Sequence, residues 1–430
     1  MKYYIDITRI YARSWRSAPT GIDRVEWAYA QHLSHDNATA FIATLPRVSG
    51  MLPPNRAQNL FKRIHANWNL GAPATEDAVL KDVEIWLWRD PDPSRTRVHR
   101  AQGAKAHGMG ARSAGSALAD IVLSPQVLRR ELATPADDRR YLNVSHLQID
   151  HPQRFAWASR HRIEVTLLLH DVIPMDHPEF CRPGAARQHE ARLKGAAALG
   201  ARLIVNSNFT RARVEHHWAA LKLESPPILV APLGIEAAFA TAASEDAPRH
   251  VPPYFLCVGT LEPRKNLAFL LEIWRRLIER HGMAAPRLLL VGHRGWENQN
   301  IIAMLERSPR LASHVMEISG LSDSGLAALM AGARGVLAPS LVEGYSLPVL
   351  EAQACGAAVV ASDIAVHREV AASAALLLHP LDGPGWIAAI ERLTAAQDPL
   401  AQELRGKSAQ VTPVRWSDHM RQVMAFVARP

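Results

Sequence analysis

Short apolar runs recur along the chain, and most lead through a turn-rich stretch into a segment of helical period. The pattern is most regular in the second half. Residues 254–258, 287–291, 315–319, 335–338 and 359–362 have strand length and strand composition. They read as parallel strands buried on both faces. Residues 375–378 read as a last strand and 385–395 as a helix. The first half repeats the scheme less evenly, with strands at 3–8, 140–144, 164–169, 201–206 and 228–231 and helices near 23–33 and up to about residue 200. Residues 83–88 also suit a strand. Residues 95–116 carry many cations and little apolar period, which predicts a long loop or flap. Strands alternating with helices predict an α/β fold of doubly wound sheets. The Ala-, Ser- and Pro-rich stretch 237–253 reads as a linker, dividing residues 1–236 from 254–412. A final amphipathic helix follows in 413–430, with Ser417 or Asp418 as its cap.

One stretch organises the chain, residues 335–370. It runs strand, loop, helix, strand, with Pro348 in the helix's first turn and Gly356 where a left-handed C-cap is wanted. A loop feeding a helix N-terminus gathers free N–H groups and the positive end of the helix dipole, so it binds phosphate. Glu343 in the loop and Glu351 in the helix flank that place. Carboxylates are repelled by phosphate and find their partners in hydroxyls, as on a ribose or hexose.

A cationic turn lies at Gly259-Thr260-Leu261-Glu262-Pro263-Arg264-Lys265-Asn266. Two adjacent cations ahead of a helix suit a diphosphate, the guanidinium giving forked hydrogen bonds and the ammonium a point charge. The strand end Gly292-His293-Arg294-Gly295-Trp296 fits close approach of a nucleotide. His170 closes the strand 164–169, and ligands of open α/β sheets bind outside such carboxyl ends; His146 follows the preceding strand. Ser207 or Asn208 caps a further helix.

The run Glu343-Gly344-Tyr345-Ser346-Leu347-Pro348-Val349-Leu350-Glu351, continuing to Gly356, resembles the E-x7-E motif of retaining glycosyltransferases of the two-domain GT-B fold, the family-four or group 1 enzymes. The resemblance covers the second half well, the first in patches, and residues 48–126 hardly at all. It implies two Rossmann-like domains facing a central cleft, with the last helix crossing back to the first domain. It implies a nucleotide-sugar donor, with Arg264 and Lys265 on its phosphates, Glu351 on the ribose, Glu343 and His170 at the hexose, and Leu321 against the base. Gly21, Gly259, Thr260, Gly292, Arg294, Tyr345, Ser346 and Leu347 are expected to complete the donor site, with Asp23 and Arg24 on the acceptor side. Where relatives carry an arginine after the glycine, this chain has Thr260. The resemblance to mannosyl- and rhamnosyltransferases of polysaccharide assembly favours a GDP-sugar such as GDP-mannose, and as acceptor a glycan or lipid-linked oligosaccharide. No metal is expected, since no Asp-x-Asp motif stands in suitable context. A GT-B epimerase and a non-catalytic glycan-assembly subunit are the alternatives.

Composition narrows this further. The chain has 430 residues, enough for two cores. Its three scattered cysteines suit a reducing cytoplasm rather than a disulfide framework. No apolar run approaches the roughly 18 residues of a membrane helix, and the N-terminus reads as a first strand, not a signal peptide. The expected location is cytoplasmic. A net charge of +8 fits a solvated basic surface, or attraction to phosphorylated substrates and to an anionic membrane face. Nucleic acid is not expected as a partner, because no recognition signature accompanies the charge.

Overall fold

The computed structural model describes residues 1–16, 19–36, 38–92, 94–103, 123–135, 138–242, 252–371, 373–395 and 397–429. Its strands in chain order begin with β1 (Lys2–Asp6), β2 (Thr39–Leu45), β3 (Val48–Leu52), β4 (His99–Gln102), β5 (Arg139–Asn143), β6 (Glu164–Leu169) and β7 (Arg202–Val205). They continue with β8 (Ile228–Val230), β9 (Tyr254–Val258), β10 (Arg287–Val291), β11 (Val315–Ser319), β12 (Gly335–Ala338), β13 (Val359–Ser362) and β14 (Leu376–Leu378).

Two seven-stranded sheets result. The first has the order β3-β2-β1-β5-β6-β7-β8 and the second β14-β13-β12-β9-β10-β11-β4. All pairings are parallel except β2 with β3, which form an antiparallel edge hairpin. Strand order reverses beside β1 in one sheet and beside β9 in the other, and such reversals open a crevice at the strand carboxyl ends. β10, β12 and β13 are buried at every position, as largely apolar strands covered on both faces are. One hydrophobic cluster runs without a break from Ile5 and Trp27 in the first lobe to Val336 and Val349 in the second.

Three expectations are corrected. Residues 83–88 are not a strand but the end of the helix Ala78–Trp88. Its buried residues Val79, Leu80, Val83, Trp86 and Leu87 follow the helical period, and Asp77 caps it. The region 95–116 is not all loop. β4 pairs in parallel with β11 at the edge of the second sheet, while residues 104–116 lie outside the described residues. The last helix, Trp416–Val427, has Arg415 at its N-cap and no side-chain cap. Its start is set instead by main-chain packing. Ile235 donates to Val414 at 3.1 Å, and a Cβ on Gly234 would stand 2.4 Å from the Trp416 nitrogen.

That last helix packs on the first lobe. Tyr29 Oη lies 2.7 Å from His419 Nε2, and Arg140 donates to the Val427 carbonyl at 3.0 Å. Within 237–253, Ala237–Thr241 form a short helix with Phe239 wholly buried, and 243–251 lie outside the described residues. Ser207, not Asn208, caps the helix Asn208–Ala220.

Candidate active site

A cleft of about 300 Å³ separates the lobes at the strand carboxyl ends. The second lobe builds most of it. β9 leads into Gly259, held at φ +143°, and β10 into Gly292, whose added Cβ would fall 1.9 Å from the Gly259 carbonyl oxygen. Only glycine lets these strand ends close so tightly. The turn Pro263–Lys265 follows, ending on left-handed Asn266 at the start of the helix Leu267–His281. Asn266 donates to the Pro339 and Pro380 carbonyls, and Leu341 donates to the Arg264 carbonyl at 2.8 Å. The cationic turn is thereby fastened to the loop after β12.

Glu343 sits between the two cations. Arg264 and Lys265 each donate to one of its oxygens, Ser340 donates at 2.7 Å, and Arg264 Nε also meets Glu262 at 2.6 Å. Burial alone would raise the Glu343 carboxyl, but Arg264 and Lys265 override it and hold it well below the usual range. Beyond the loop, Ser346 adopts the left-handed region (φ +75°) at the N-cap of the helix Leu347–Ala354. His367, its Nδ1 bonded to the Ser362 carbonyl, meets Ser346 Oγ at 3.1 Å and fixes the turn. Among the described residues, no hydrogen bond engages the N–H of Ser346 or Leu347. These free donors and the two cations line the same cleft, an arrangement suited to a diphosphate.

The first lobe supplies the opposite wall. His170 ends β6; its Nε2 lies 2.7 Å from the Val144 carbonyl, which fixes that nitrogen as the donor and leaves Nδ1 as an acceptor. Burial pushes its pKa down to about 4, so the ring is neutral at pH 7. Gly344 inserts against this strand end, where a Cβ would stand 2.7 Å from the His170 carbonyl oxygen. Thr210 clasps the same glycine's carbonyl at 3.1 Å.

Glu351 is buried and paired with Arg24 at 2.7 Å, across the cleft from the first lobe. Arg24 also faces Asp323 at 3.6 Å. Burial raises the Glu351 carboxyl, and Arg24 opposes the rise. Sequence reading placed Arg24 with the acceptor and Glu351 with the donor; the fold joins them. Asp23 serves the local structure, capping its own helix through Thr20 and binding Arg9 and Arg13.

The cleft brings together Gly21, His170, Gly259, Thr260, Arg264, Lys265 and Gly292 with Leu321, Glu343, Tyr345, Ser346, Leu347 and Glu351. Arg294 is the exception. It turns away to Glu317 at 2.8 Å and Glu306 at 2.5 Å, because β11 presents a buried carboxylate behind it. His293 lines the cleft in its place. Trp296 donates to the Phe180 carbonyl and is a lobe contact. His146 is buried behind His170, ring centroids 5.4 Å apart, and does not line the cleft. Sequence reading missed Asn206, which donates to the His170 carbonyl at 2.9 Å, and Asp323. The position of Asn206 just after β7 was the available signal. Among the described residues, no three His, Cys, Asp or Glu side chains are grouped to hold a metal ion, and no helix is long and apolar enough to cross a membrane.

Two doubly wound lobes facing a cleft at their strand carboxyl ends make the GT-B architecture. Residues 252–396, which make up most of the second lobe, match the family model described as Glycosyl transferases group 1. The chain is 28% identical over 270 residues to the O-antigen chain mannosyltransferase B of Escherichia coli, spanning 57% of this chain and 69% of that protein. It is 33% identical over 156 residues to the phosphatidyl-myo-inositol mannosyltransferase of Mycobacterium tuberculosis, spanning 36% of this chain and 39% of that one. The crystal structure of Anabaena Alr3699/HepE in complex with UDP and glucose superposes with a TM-score of 0.59 at 13% identity, covering 100% of both chains. That likeness shows the fold alone.

Proposed function

We propose that the protein is a retaining hexosyltransferase that moves mannose from GDP-mannose to a growing surface glycan, lipid-linked or free. The observation that carries this is the convergence of Arg264, Lys265 and the free N–H groups of Ser346 and Leu347 on one cleft. As the bond between the hexose and the diphosphate breaks, negative charge grows on the leaving phosphate. Fixed cations and a helix N-terminus stabilise that charge more than the ground state, which lowers the barrier. Glu351 takes the ribose hydroxyls and Glu343 a hexose hydroxyl, while His170 Nδ1 accepts from another. The acceptor hydroxyl attacks from the face the diphosphate leaves, and its proton passes to the departing phosphate oxygen. Cations and dipole hold the diphosphate without a metal. Mannose is supported by the relatives, which are mannosyltransferases, and rhamnose is the other sugar the motif allows. The net charge of +8 supports peripheral attachment to anionic lipid at a cytoplasmic membrane face.

Purified protein should release nucleoside diphosphate from one member of a panel of GDP-, UDP- and dTDP-hexoses when a mannose-terminated acceptor is present. The product linkage, read by NMR, should keep the donor's anomeric configuration. No thermal shift with any nucleotide sugar, together with no release, would overturn the proposal.

A further inference from the structure

Between β3 and β5, the helix Ala78–Trp88 and β4 form a strap on the second lobe, while the helix Pro125–Ala133 packs beside β3 of the first. The strap grips the second sheet at three levels. At the start of β10, Arg287 donates to the Trp86 and Arg89 carbonyls and stacks over the Trp86 ring at 4.6 Å. Midway, β4 pairs with β11, and Arg100 meets Glu317 at 3.0 Å. At the cleft end, Gly103 donates to the Ser319 carbonyl at 2.9 Å, and Asp77 accepts from the Ser322 N–H at 2.7 Å.

These last contacts hold the turn of residues 319–322, whose Leu321 lines the cleft. Gly103 and Gly320 lie backbone to backbone. A Cβ on Gly103 would stand 3.0 Å from the Gly320 carbonyl oxygen, and Gly320 itself is left-handed at φ +81°. Asp77 is buried, and its two oxygens divide their work. Oδ1 caps the helix Ala78–Trp88 through Val79 and Leu80, while Oδ2 holds Ser322. Ser322 in turn caps the helix Asp323–Gly332. The Ser319 carbonyl and the Ser322 N–H are thus committed to the strap. Among the described residues, no hydrogen bond engages the N–H or C=O of Leu321. A turn fixed on both sides presents that one donor and acceptor in constant geometry. A planar nucleobase edge is recognised best by such groups, because no ordering entropy is lost on contact.

We propose that Asp77 is a positioning residue for nucleobase recognition, acting through Ser322 to aim the Leu321 main chain at the base edge. The inference rests on the nucleotide-sugar reading above. It assigns the strap to the donor's base rather than to the acceptor.

The test uses Asp77→Ser, whose shorter side chain keeps an oxygen for the helix cap and cannot reach Ser322. Affinities of the full chain for GDP, UDP, dTDP and inorganic pyrophosphate are measured beside donor kcat and KM. The variant should bind the preferred nucleoside diphosphate roughly tenfold more weakly, because the base must then order a turn that Asp77 no longer holds. GDP-against-UDP discrimination should shrink, while pyrophosphate affinity and kcat at saturating donor stay within twofold. Gly103→Ala, which presses on Gly320, should move the same quantities and stands in if Asp77→Ser fails to fold. Unchanged nucleotide affinity, or an equal loss for pyrophosphate, overturns the positioning role. Wild-type protein that binds pyrophosphate but none of GDP, UDP and dTDP overturns both this role and the nucleotide-sugar reading.

Discussion

Replacing Lys265 should cost turnover far more than stability. The residue is only 9% exposed, its ammonium bonds Glu343, and its stem lies against Gly259, where a Cβ would meet Lys265 Cε at 2.9 Å. Breaking a buried ion pair costs about 3–5 kcal/mol when the surviving charge is orphaned. Here Glu343 keeps Arg264 on one oxygen and Ser340 at 2.7 Å on the other. The stability loss in Lys265→Met, which keeps the stem, should therefore be about 1–3 kcal/mol, the cost of one lost charged hydrogen bond. Arg264 cannot cover for the missing cation, since its Nε is tied to Glu262 at 2.6 Å and its Nη1 to Glu343. Removing one fixed donor from a site that stabilises developing charge costs about 10²–10³ in kcat. The same fall is expected here, measured as nucleoside diphosphate release under saturating donor, with urea unfolding run in parallel. Lys265→Ala should add a packing loss without a further fall in kcat. A Lys265→Met enzyme that is fully folded and within threefold of wild-type kcat would refute the assignment.

Glu351→Ala should raise donor KM about tenfold or more, because the ribose loses its acceptor. Arg24 keeps Asp323 at 3.6 Å, so the fold should survive, and calorimetric titration with GDP checks the affinity. Acid should destabilise the protein through His419, whose pKa burial pushes down to about 4 against a usual 6.5. The unfolded chain then binds more protons between these values, so this contribution is full above about pH 6.5 and lost as pH falls to 4. It amounts to roughly 3 kcal/mol. Buried Asp6 and Glu26, raised by burial to about 6 and about 8, act in the opposite sense, losing their contribution as pH rises. A His419→Gln variant isolates the histidine. Its urea midpoint should fall less than wild type's between pH 6.5 and 4, and parallel curves would exclude the effect.

Much of the second lobe was legible because its signals are local. The runs at 254–258, 287–291, 315–319 and 335–338 coincide with β9, β10, β11 and β12, since strands buried on both faces are apolar at most positions. Gly356 is left-handed at φ +67°, and Pro348 sits in the first turn of its helix. The first lobe was harder to read. Helix Ala78–Trp88 is apolar on so wide a face that residues 83–88 pass for a strand, and β4 is four residues of mixed character. Neither announces itself without the surface it packs on.

What the chain carries by itself, then, is the alternation of strand and helix, the glycine turns, and the two motifs with their cations and carboxylates. Each depends on residues within a few positions of one another. Pairings between distant segments were left to the tertiary structure. Arg24 meets Glu351 across 327 positions, and Asp77 meets Ser322 across 245. Arg294 turns to Glu317 rather than the cleft because β11 happens to bury a carboxylate beside it. A buried charge goes wherever its counter-charge is brought, and only the folded arrangement of both lobes decides that.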